Sequence, residues 1–112
     1  MATISNLFVD AGSDFSSLVT VASSTGAPLI LTGYTVKSQM RKSFSSSQYF
    51  DFNASVYDAN FGKIKLSLTA VQSEAIPAGR WLYDVEITNT ATGAKKRVVE
   101  GIVTVTPQIT QT

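Results

Sequence analysis

The sequence contains no cysteine and no histidine. Without cysteine there is no disulfide, no thiolate metal ligand and no cysteine nucleophile, and the redox compartment stays open. Without histidine the commonest general base and the commonest metal ligand are missing together. Charge is sparse as well: 15% of residues are charged, against roughly 25% in an average globular chain. Nine Lys and Arg stand against eight Asp and Glu, a net charge of +1, so no strong field draws in nucleic acid or an anionic membrane. The longest apolar stretch, around residues 27–31, falls far short of the roughly 20 residues that cross a bilayer. Residues 1–6 have neither a basic stretch nor a long apolar one, so no secretory signal is expected.

What fills the space left by charge is hydroxyl. Ser and Thr make up about a quarter of the 112 residues, a share that suits the solvent faces and turns of a β protein better than helices. The length is that of one two-layer domain. A single domain over residues 1–112 is therefore expected, with 107–112 as an extended polar C-terminal tail.

Period-two alternation dominates the chain. Strands are predicted over residues 3–9 and 15–21, separated by a turn at 10–14 whose Asp, Gly and Ser tolerate turn geometry. In 34–42, Tyr34, Val36 and Met40 share one face, while Thr35, Lys37, Gln39 and Arg41 share the other. In 49–57, Phe50, Phe52, Ala54 and Val56 alternate with polar residues and Tyr57, and the segment reads as one strand. Ile64, Leu66 and Leu68 follow after a turn at 58–62. Thr69 and Gln72 then have the spacing of a helix-capping box, and Pro77 stops the helix within about two turns. Trp81, Tyr83, Val85 and Ile87 take one face of the next strand, and the loop at 89–94 leads into a last strand over 95–106. The parity of that last strand is ambiguous: Val98 and Ile102 fall on one side, Val99, Val103 and Val105 on the other. Gly101 lies between them, as a bulge or a close backbone approach.

About seven short strands, turns every eight to twelve residues and one helical turn at a corner predict an all-β, immunoglobulin-like antiparallel β-sandwich. A closed barrel is the alternative. In immunoglobulin domains the corner before the penultimate strand carries a small residue, a Tyr and a Cys at alternate positions; here that spacing reads Gly79, Trp81, Tyr83. Trp81 is expected as a core anchor, because aromatics bury large areas.

No catalytic, cofactor-binding or metal-ligating set is recognisable, and no enzyme is expected. Asp84 and Glu86 share a strand face, as a paired acid and base or a calcium pair would, but charges on a wet face opposite a cationic strand explain them more simply. Lys95, Lys96 and Arg97, with Lys37, Arg41 and Lys42, could form a basic patch, but the near-neutral balance and the acidic strand neighbours favour solvated charge or a subunit contact. Asp10 and Asp14 flank a Gly turn with too few oxygen ligands for calcium. The candidate interaction residues are Lys95, Lys96 and Arg97 together with Gln108 and Thr110 of the tail.

The segment beginning Leu31-Thr32-Gly33-Tyr34 and ending in the basic pair Arg41-Lys42, with 62–69, 76–87, 98–107 and the opening 2–10, resembles tailed-phage virion proteins related to the N-terminal domain of the baseplate upper protein. Over nearly the whole chain it looks most like small structural proteins of T4-like marine cyanophages. The resemblance implies an immunoglobulin-like domain, made in the host cytoplasm, that docks on the tail, baseplate or neck of a virion. Its implied partners are other virion proteins and symmetry-related copies of itself, with no nucleic acid, membrane or cofactor. The sequence ends after this domain without a fibre-forming extension, so a capsid decoration protein stands as an alternative. A carbohydrate- or receptor-binding module, motivated by Tyr34, Tyr49, Tyr57 and Trp81, is the other.

Overall fold

A computed structural model describes residues 3–22, 26–27, 29–43 and 47–107. The strands are β1 (Thr3–Ile4), β2 (Leu7–Asp10), β3 (Phe15–Thr20), β4 (Tyr34–Arg41), β5 (Tyr49–Asp51), β6 (Asn53–Asp58), β7 (Lys63–Leu68), β8 (Gly79–Asn89) and β9 (Lys95–Thr106). One helical turn, α1 (Ala70–Glu74), joins β7 to β8. The larger sheet has the order β1-β9-β8-β4-β5 with β2 also on β9, and the smaller is β3-β7-β6. Both sheets turn their alternate apolar residues inward, so Val19, Ile64 and Leu66 meet Met40, Trp81, Val85 and Val103 in one core. The fold is an all-β, immunoglobulin-like sandwich: β3-β7-β6 occupies the places of strands B, E and D, and β9-β8-β4-β5 those of G, F, C and C′.

The nine segments reduce to seven runs, because two runs are interrupted. β1 and β2 are successive parts of one edge strand that runs parallel to β9, with Thr3 opposite Val99 and Leu7 opposite Val103. This is the one departure from an antiparallel arrangement in the two sheets described. The stretch read as a single strand from Tyr49 to Tyr57 crosses between layers at Phe52: β5 pairs with β4, and β6 pairs with β7. Its alternation survives the crossing because both layers share one interior, so Phe50, Phe52, Ala54 and Val56 all point inward. The Phe52 N–H donates to the Ser38 carbonyl (3.0 Å), which holds the crossing point against β4.

The ambiguous parity of β9 resolves at Val98. Val85 pairs with Val99 but Glu86 pairs with Arg97, so Val98 is the extra residue of a bulge. The bulge lets Val98 and Val99 both reach the core and leaves Val99, Val103 and Val105 as the buried side. Gly101 is instead a close approach. A Cβ there would collide with the carbonyl of Ser5, which folds over it where the edge strand breaks between β1 and β2. Three hydrogen bonds fasten that break: Ser5 N donates to the Glu100 carbonyl (2.9 Å), Ile102 N donates to Asn6 Oδ1 (3.0 Å), and the Tyr83 hydroxyl donates to the Ser5 carbonyl.

At the corner, the Thr69 hydroxyl accepts from Gln72 N (3.2 Å) and the Gln72 side chain accepts from Thr69 N (2.9 Å), the reciprocal box expected from the sequence. The buried Ser73 hydroxyl accepts from Gly12 N and donates to the Ser13 carbonyl, so the short helix is tied to the β2–β3 turn as well. Trp81, 1% exposed, donates its indole N–H to the Pro77 carbonyl (3.0 Å). An indole here performs the corner hydrogen bond that a tyrosine hydroxyl makes in many immunoglobulin domains. Phe50 packs edge-on to the Trp81 ring at 5.4 Å.

Candidate interaction face

The outer side of the β9-β8-β4 sheet carries its charge in cross-strand rows. Register places Lys37 beside Glu86 and Glu86 beside Arg97 in one row, with Gln39, Asp84 and Glu100 in the next. In a third, Arg41, Leu82 and Ile102 lie side by side. Such opposed pairs are the unit of contact on a sheet face. Arg97 bridges two rows, with its guanidinium 3.2 Å from Asp84 and 3.3 Å from Glu100. Arg41 donates to Gln39 Oε1 (3.3 Å) and lies over the Tyr49 ring at 4.7 Å. The side chains of the three rows line a concave groove of about 660 Å³ whose walls also include Ile4 and Asn6.

The electrostatics of the groove follow from its shape. Burial raises the Asp84 carboxyl above its ordinary value of 3.8; Arg97 opposes that rise, and the neighbouring Glu86 and Glu100 add to it. Burial also raises the Tyr83 phenol, against the lowering effect of its bond to Ser5. Beside the charged rows runs an apolar margin. Ile4 and Phe8, 73% and 71% exposed, sit opposite Glu100 and Thr104 and flank Ile102 on β9. The face thus sets an exposed apolar strip beside paired charges.

The structure separates the residues that the sequence grouped together. Lys95 and Arg97 line the groove, whereas Lys96 lies between them on the opposite side of the strand and is absent from the lining. Lys42 leaves the patch too: its Nζ lies 4.9 Å from the Trp81 ring centroid. Gln108 and Thr110 lie outside the described residues, as does the tail beyond Pro107. Asp84 and Glu86 do share the outer face, set among Arg97 and Lys37. Asp14 accepts from Ala70 N (2.8 Å) and Asp10 from the Thr106 hydroxyl (2.8 Å), so each fastens a turn or strand end. No cluster of metal-ligating side chains occurs among the described residues.

Sequence reasoning did not single out Ile4, Phe8, Leu82 or Ile102. The signal was present as apolar residues on the wet parity of their strands, but reading it for β9 required the Val98 bulge. No protein-family model matches the chain, and no curated protein matches it.

Proposed function

We propose that this chain is a non-enzymatic structural protein of a tailed-phage virion that docks on the tail, baseplate or neck through the outer face of β9, β8 and β4. The observation that carries the reading is that face itself: a groove with paired charges on its floor and an exposed apolar margin of Ile4, Phe8 and Ile102. Mixed charge selects a partner by complementarity and register, and the apolar margin supplies the area that drops out of water. The immunoglobulin-like sandwich behind it is a rigid support, and the resemblance of the sequence to virion proteins supplies the setting. A capsid shell would be met by the same chemistry, so the partner found against the face distinguishes decoration from a tail role.

A carbohydrate platform draws less support, because the aromatics that suggested it are dispersed. Trp81 is in the core, Tyr49 lies under Arg41 on the larger sheet, and Tyr57 is exposed on the smaller one. The test is quantitative mass spectrometry of purified particles of the encoding phage, from wild type and from a Phe8→Asp, Arg97→Glu variant. A stoichiometric copy number that falls at least about tenfold in the variant, the equivalent of 1.4 kcal/mol of docking energy, is expected. Absence of the wild-type chain from particles overturns the reading.

A further inference from the structure

We propose that β3 is a self-pairing edge through which two copies of this chain join their smaller sheets into one continuous sheet. The inference goes beyond docking by the β9-β8-β4 face and does not depend on it. A sheet edge displays unpaired N–H and C=O groups, and proteins guard such edges by charge, proline, bulges, breaks or short length. Three of the four edges described here are guarded in one of these ways. β5 is three residues long and carries Asp51. β6 has an irregular register between Val56 and Asp58 and ends on that carboxylate. The β1/β2 edge is broken at Ser5 and Asn6. β3, with the sequence Phe15-Ser16-Ser17-Leu18-Val19-Thr20, has no charge, no proline and an unbroken register against β7. Because the first strand lies on β9, no strand among the described residues covers the far side of β3.

The geometry of β3 identifies what it accepts. Val21 N donates to the Gly62 carbonyl (2.8 Å) one step beyond the Thr20–Lys63 pair, which sets the phase of the ladder: the amide of Val21 points toward β7. By the alternation of antiparallel ladders, Phe15, Ser17 and Val19 then bond to β7, and Ser16, Leu18 and Thr20 turn their amides and carbonyls to the open side. A second β3 laid antiparallel about a two-fold axis at Leu18 places Leu18 opposite Leu18 and Ser16 opposite Thr20. All three outward residues thereby fall in bonded pairs, about six hydrogen bonds in all. An axis at Ser16 or Thr20 shortens the overlap.

The side chains suit this axis. A residue on a two-fold axis meets its own copy, so a charge there would repel itself. The residue on it is Leu18, an aliphatic side chain left 48% exposed in the middle of the strand. The nearest like charges are Lys65 and its copy, since Lys65 is the β7 neighbour of Leu18. Three strand spacings separate them, about 14 Å, beyond the roughly 8 Å over which charges act in physiological salt. The self-complementary edge therefore fits a second copy of this chain.

Sedimentation equilibrium of the full chain over a concentration series tests the proposal, with a L18K variant that sets two ammonium groups against each other at the axis. The wild type is expected to dimerise, and the variant to do so at least about tenfold more weakly, a cost of 1.4 kcal/mol. A monomer at every concentration, or a dimer that L18K leaves unchanged, overturns it. Because the chain has no cysteine, single-cysteine variants give an independent readout should L18K misfold. Opposed residues in a bonded pair have Cα atoms about 5.5 Å apart, within reach of a disulfide. Oxidation should link the Leu18→Cys chain to its copy faster than the Tyr57→Cys chain, and equal rates or no link overturn the proposal. An Arg97→Glu variant should dimerise as the wild type does, which keeps this result separate from that of the docking face.

Discussion

The two sheets of this sandwich present different chemistry to solvent. The outer side of β9, β8 and β4 carries opposed carboxylates and cations with an apolar margin. The outer side of β3, β7 and β6 is mostly Ser, Thr and Asn with Lys63 and Lys65, and its distinctive feature is an unguarded edge. The contacts proposed above use the face of the first sheet and the strand edge of the second. The difference is confined to the outside: the inward residues of both sheets are alike, and only the outward parity and the termination of each sheet diverge.

The largest expected effect would erase the distinction. Trp81→Ala removes the corner anchor that both layers pack around, and large-to-small changes of this kind cost about 3–5 kcal/mol. Hydrogen exchange should then show the amides of β3 and β8 losing protection together; a loss confined to β8 would mean that the sheets do not share one cooperative core. Gly101→Val should separate them instead. The new side chain displaces the Ser5 carbonyl, at about 1–3 kcal/mol, and amides of β2 should exchange faster while the β3–β7 ladder keeps its protection.

Smaller changes sharpen the larger sheet alone. Tyr83→Phe removes the bond to Ser5, and chemical denaturation should show a loss of about 1 kcal/mol. The Tyr83 phenol is raised above 10.0 in the folded state, so its contribution is complete below pH 10.0 and is lost as pH rises through the higher folded value. The Phe variant should lack that alkaline component. Asp84 has the same sign: its carboxyl is raised above 3.8, so its contribution is full below 3.8 and is lost as pH climbs through the raised value. Asp84→Asn should flatten that acid-range slope in denaturation titrations. Arg97→Ala should change stability least, by at most about 1 kcal/mol, because its ion pairs are partly exposed.

Some of this was readable from residues alone, for identifiable reasons. The Thr69–Gln72 box, the inward Trp81, Tyr83, Val85 and Ile87, and the wet face of Lys37, Gln39 and Arg41 depend on local spacing, which a single sequence displays. The crossing at Phe52 was hidden because its alternation continues unbroken through both sheets. The parallel pairing of β1 and β2 with β9 joins residues 96 positions apart, and nothing local encodes that choice. Gly101 was readable as a special position, but whether it bulged or was approached depended on Ser5. The candidate interaction face was only half legible. Its charges were visible, whereas the separation of Lys96 from Lys95 and Arg97, and the alignment of Ile4, Phe8 and Ile102, needed the register set by Val98 and the edge strand.

The most direct test of the docking account is a density map of the intact particle in which this chain is traced. The account predicts that another virion protein covers the outer face of β9, β8 and β4, with Arg97, Lys37 and Phe8 buried against it. A traced chain with that face open to solvent, or a particle without the chain, would contradict it.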